Sequence, residues 1–176
     1  MIKPSRPLLI GGAVFVVAAA VLFAFTFAAV LRTNDQPKPR PALQAAVGTT
    51  LLNVSPLQFC ENVRALSCDP PTRPTKLSVE PGSAIVISLP AYITDRPWEV
   101  TVQRFDTREG KASLETQTHF APTEATLVLK STEEKLLAAV EIRVPSDVQD
   151  SFGNLISQAV WGIDTLAKDY ALVQKP

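Results

Sequence analysis

The side chains with the strongest claim to chemistry are the only two cysteines, Cys60 and Cys68, in the stretch FCENVRALSCDPP at residues 59–71. Such a pair serves as a redox couple, as two corners of a metal site, or as a structural staple. A thioredoxin-like couple is spaced C-x-x-C on a βα unit, whereas seven residues separate these two. A zinc site draws four ligands, and the chain holds a single imidazole, His119. The expected use is therefore a structural disulfide closing a nine-residue loop. Its chemistry implies an oxidising compartment. Neither a metal nor a cofactor is expected.

Catalytic arrangements find little support. His119, in TQTHFAP, stands without a G-x-S-x-G elbow nearby and reads as a surface side chain. Sortases are single-pass extracytoplasmic β proteins that use cysteine, histidine and arginine, but there the histidine comes first and the cysteine ends a T-L-x-T-C strand. Here Cys60 precedes His119, the local text is PLQFC, and Cys68 would quench a thiolate as a disulfide. No G-x-x-x-x-G-K-[ST] or G-x-G-x-x-G occurs, so nucleotide binding has no foothold. Asp147, Asp150 and Asn154 miss the spacing of a calcium loop and read as a solvated hairpin. Ser131 and Lys135 are four apart, outside the S-x-x-K pattern. The expectation is a protein that is not an enzyme.

Trp98 shares its strand parity with Val100 and Val102, and Trp161 with Ile163, so core packing is the first expectation for both rings. Each is also a candidate partner contact should its ring prove exposed, because aromatic anchors dominate interface energetics.

The elements that must position these residues fall into two kinds. Leu8 to Leu31 form 24 residues without charge, Thr26 being the one clearly polar side chain. As a helix they would cover roughly 36 Å at 1.5 Å per residue, which exceeds a hydrocarbon core of about 30 Å. The run is too long for a cleaved signal. We therefore expect a cytoplasmic tail at 1–7, a transmembrane helix at 8–31 and a proline-rich stalk at 32–41, where Pro37, Pro39 and Pro41 alternate with polar residues. A short N-terminal tail and a long C-terminal domain favour an extracytoplasmic C-terminus in a single-pass cell-membrane protein.

Beyond Pro41 the period becomes two. KLLAAVEIRV places Leu136, Ala138, Val140, Ile142 and Val144 on one face, and AIVISL and WEVTVQRF alternate likewise. With ALQAAV, TLLNV, KLSV, ATLVLK and ISQAVWGID, about eight strands are expected across residues 42–167, ahead of a tail at 168–176. No amphipathic helix intervenes. Short strands at this spacing predict an all-β, Ig-like sandwich of about 7–8 strands. Residues 1–40 hold five Lys/Arg against Asp35, while the remainder holds twelve against sixteen Asp/Glu. An acidic outer domain argues against nucleic-acid binding.

VSPLQFC, the second cysteine in SCDPP, the run LSVEPGSAIVISLPAYITDRPWEV and the terminal VEIRVP and QAVWGIDT together resemble the actinobacterial membrane proteins grouped as the DUF2771 family, over roughly residues 42–165. The resemblance implies a cell-envelope location and brings no activity and no functional residue. Together with the strand-rich anchored domain it gives the functional expectation: a non-enzymatic interaction module or accessory component of an envelope complex, with an unidentified protein partner. A small-ligand or lipid-binding domain with a pocket between its sheets is the alternative.

Overall fold

The computed structural model describes residues 18–28, 40–120 and 124–167. Two compact units divide the chain between Pro39 and Arg40. In the first, residues 18–28 are helical. Among the described residues no helix is long and apolar enough to cross a membrane. The other residues of the expected span 8–31 lie outside the described residues, as do 1–7, 32–39 and 168–176.

The second unit is an all-β sandwich of two sheets. Eleven strands follow in order: β1 Leu43–Val47, β2 Thr50–Val54, β3 Gln58–Asn62, β4 Ser67–Cys68, β5 Thr75–Lys76, β6 Ala84–Ser88, β7 Trp98–Asp106, β8 Lys111–His119, β9 Thr126–Lys130, β10 Lys135–Gln149 and β11 Leu155–Asp164. A one-turn helix, Ala91–Thr94, links β6 to β7. The smaller sheet runs β2-β1-β6-β9 and the larger β4-β3-β11-β10-β7-β8, with β5 added in parallel to β11.

Alternation decides which face is inward. Leu43, Ala45, Val54, Ile85, Ile87 and Leu127 of the smaller sheet meet Val100, Val102, Val140, Ile142, Val144, Trp161 and Ile163 of the larger in one buried cluster. Their strand neighbours point to solvent, as a period of two requires.

The strand expected at KLSV, 76–79, is reduced to the two-residue β5, and three further strands, β3, β4 and β8, lack the alternation that marked the others. β8 reads KASLETQTH and is exposed at every position except its last, so it has no apolar face to betray it. It forms nonetheless because β7 supplies a ladder partner for all nine residues, from Trp98↔His119 to Asp106↔Lys111. A polar edge strand of this kind also discourages edge-to-edge aggregation. β3 buries only Cys60, and β4 is two residues long.

A register shift between Leu137 and Ala139 in the β10–β7 ladder sends Leu136, Leu137 and Ala138 all into buried positions. Leu137 still pairs with Arg104 of β7, but the β11 ladder ends at Ala139↔Asp164 and leaves it no strand partner on that side. Two buried hydroxyls serve its backbone instead: Ser131 Oγ accepts from the Leu137 amide at 3.2 Å, and Thr165 Oγ1 donates to the Leu137 carbonyl at 3.0 Å. Ser131 is thus a backbone partner rather than half of a Ser/Lys pair. Thr165→Val keeps the shape, strands that carbonyl, and should lower unfolding free energy by about 1–3 kcal/mol in urea titration.

Candidate functional site

Cys60 and Cys68 face each other across the β3–β4 ladder and are bonded. Neither sulfur is available as a nucleophile or a ligand. The disulfide closes the hairpin on which the compact unit begins: Arg40 donates to both carboxylate oxygens of Asp69 and to Glu61, and its guanidinium lies 4.7 Å from the centre of the Phe59 ring. The entry of the chain into the sandwich is therefore fixed to the stapled hairpin.

Both tryptophans are fully buried, at 0% exposure. The condition attached to a partner role, an exposed ring, is met at neither position. Trp161 lies under Tyr92 edge-on at 6.3 Å, and its Nε1 donates to the Pro41 carbonyl at 3.0 Å. Trp98 carries the imidazole of His119 stacked on it, centroids 3.9 Å apart and 6° from parallel. His119 is thus a partly buried packing residue at the end of an edge strand, not a free surface imidazole. Tyr92 Oη, Trp98 Nε1 and His119 Nε2 are buried without a hydrogen-bond partner, and burial pushes the Tyr92 phenol up from its ordinary value.

Asp147, at the end of β10, and Asp150, in the β10–β11 loop, are both engaged by protein groups. Arg64 reaches Asp147 at 2.6 Å and holds its carboxyl below the usual range. Asp150 accepts from the amides of Asn154 and Phe152, each at 2.9 Å, and from the Asn154 side chain, with Gly153 at positive φ completing the turn. The Asn154 amide is the largest cause of the lowered Asp150 pKa. A depressed folded value means that this turn is stabilised above the ordinary aspartate pKa near ~3.9 and loses that support as pH falls through the folded value. The Asn154 and Phe152 amide shifts, followed by NMR against pH, should therefore titrate with a midpoint below that of a free aspartate. Among the described residues no cluster of three His, Cys, Asp or Glu side chains suits a metal ion.

What remains unpartnered lies outward. Ladder register aligns Leu51↔Ala46, Ala46↔Val86 and Val86↔Val128, so one apolar row crosses all four strands of the smaller sheet on its solvent face. Leu51, Val86 and Val128 are 63%, 39% and 58% exposed. The adjoining row is Asn53, Gln44, Ser88 and Thr126, polar but again uncharged. A charge-free strip of this kind matches the composition of interface cores, where charged residues are depleted. On the outer face of the larger sheet a cleft of about 440 Å³ opens over Ala139 and Gly162, walled by Leu57 and Leu114 and bordered by Glu141 and Asp164. Leu57 packs directly over Gly162, where a Cβ would stand 2.7 Å from Leu57 Cδ1 and push that side chain aside.

The family model described as "Protein of unknown function (DUF2771)" matches residues 36–166, which takes in all eleven strands, the disulfide, both tryptophans and the uncharged strip. The chain belongs to the DUF2771 family. No curated protein and no solved structure matches it. The DUF2771 domain thus presents two outward features, the row and the cleft, that no single strand advertises. Alternation marks Val86 and Val128 merely as wet-side residues, and only the inter-strand register brings them side by side with Ala46 and Leu51.

Proposed function

We propose that this DUF2771 protein is a non-enzymatic interaction module, an accessory component of a cell-envelope or membrane complex in an actinobacterial cell. It is held by a transmembrane helix at 8–31, with the N-terminus in the cytoplasm and an Ig-like sandwich outside. The observation that carries the interaction reading is the uncharged strip on the outer face of the smaller sheet, its row Leu51, Ala46, Val86 and Val128 beside the polar row, with Lys130 at the margin. Exposed contiguous apolar surface on a sheet is a mark of association. The apolar run 8–31 and the disulfide favour the anchored, extracytoplasmic placement.

Co-purification from gently solubilised membranes tests the reading. The native chain should recover a reproducible protein partner, and the pair Val86→Glu and Val128→Glu should lose it while leaving the fold's unfolding midpoint within experimental scatter, since both side chains are on the wet face. Partner recovery that survives both substitutions would remove this face from the account.

The ligand-binding reading is favoured by one feature, the cleft of about 440 Å³ over Ala139 and Gly162, a volume in the range of small-molecule sites. It lies outside the sandwich. Between the sheets the space is filled by the buried cluster that includes Trp98 and Trp161.

A further inference from the structure

Four large apolar side chains sit exposed at one end of the sandwich. Ladder register puts them there. β3 runs antiparallel to β11 with Phe59 opposite Ala159, and Ala159 lies opposite Val144 of β10. The tip of the β3–β4 hairpin, with Leu66, and the β10–β11 tip, with Phe152 and Leu155, therefore extend the same way. His119 pairs with Trp98 at that end of β7–β8, so Phe120 follows it there. Leu66, Phe120 and Phe152 are 75%, 81% and 86% exposed.

Two of these tips are held, not loose. Leu66 is the one non-glycine residue at positive φ, +53°, among the described residues. A left-handed conformation is unfavourable for a branched side chain and persists only where its surroundings impose it. Here the Cys60–Cys68 bond closes the loop, and the Leu66 amide and carbonyl bond to Val63 O and Cys68 N. Phe152 is fixed by the Asp150 carboxylate that gathers the amides on either side of Gly153. Arg64 on Asp147 ties the two tips together.

We propose that this end of the domain contacts the lipid surface of the membrane that anchors the chain, with Leu66 and Phe152 entering the interfacial region. The proposal rests on the anchor reading above and adds a contact to it. Chain length limits the distance: residues 32–39 separate the apolar run from Arg40, and eight residues reach at most about 28 Å. Arg40 lies over Phe59. From the level of Phe59 the β10–β11 arm extends about 15 Å further to its tip, at ~3.3 Å per residue. The tips thus span about half of the greatest separation the tether permits. Arg64 is paired with Asp147 and Arg40 with Glu61 and Asp69, while Arg96 lies over the Tyr92 ring and donates to Gln158, so attraction comes chiefly from apolar burial and little from anionic head groups.

The test uses the full chain in vesicles containing brominated phosphatidylcholine. Native Trp98 and Trp161 are shielded in the core, so Phe152→Trp and, in a second protein, Leu66→Trp report on the tips, with Leu114→Trp on the larger sheet's outer face as the control. Quenching at both tips at least about twofold above the control, unchanged in high salt, is the expected result. Quenching at the tips no greater than at Leu114→Trp, in a chain that resists alkaline extraction, would overturn the contact and leave the anchor standing. A chain that alkali strips from the vesicles would overturn both.

Discussion

Trp161→Ala is expected to lower the domain's unfolding free energy by about 3–5 kcal/mol, the largest effect of any single substitution considered for this protein. The indole is fully buried in the centre of β11, packs under Tyr92, and donates to the carbonyl of Pro41 at the start of the folded unit. Truncation opens a cavity and strands that carbonyl at once. Against a total stability of about 5–15 kcal/mol for a typical domain, the variant should be marginal or unfolded. Trp161→Phe separates the two causes: it keeps most of the packing and loses the hydrogen bond, at a cost of about 1–2 kcal/mol. Urea titration of both variants by the fluorescence of Trp98 measures the difference. A loss below about 1 kcal/mol for the alanine variant would mean that the β11 face is not the organising face of the core.

Removing the staple should be the second largest effect. For a loop of nine residues the chain-entropy argument gives about 2–3 kcal/mol, because the reduced unfolded chain explores conformations that the bonded one cannot. Cys60→Ala with Cys68→Ala, and the native chain in reductant, should shift the urea midpoint by similar amounts. The consequences are local as well: without the bond, nothing covalent holds Leu66 at positive φ, and the hairpin that receives Arg40 loosens. Thiol labelling supplies the companion measurement, with no reactive thiol expected until reductant is added. Two readily labelled thiols in the native protein, or equal stability with and without the bond, would contradict this.

Much of the fold is legible in the sequence because burial imposes a period of two. β1, β2, β6, β7, β9, β10 and β11 coincide with alternating segments, and the pairing of the cysteines follows from their being the only two. β8 is not legible, since KASLETQTH buries no face and owes its conformation to the β7 ladder. The site is less legible than the fold for the same reason. Aromatic residues attract attention in a linear reading, yet Trp98 and Trp161 are core, and the surface row depends on registers between β2, β1, β6 and β9 that no local pattern encodes. His119 illustrates the point from the other side. Its neighbours in sequence, Thr118 and Phe120, are both exposed, and its partial burial comes from Trp98 on the adjacent strand.

The most direct test of the interaction account is site-specific photocrosslinking in intact membranes, with a photoreactive side chain placed at Val128 in one protein and at Glu99, on the outer face of the larger sheet, in another. The account predicts one discrete crosslinked protein from Val128 and none from Glu99. The same adducts from both positions, or none from Val128, would contradict it.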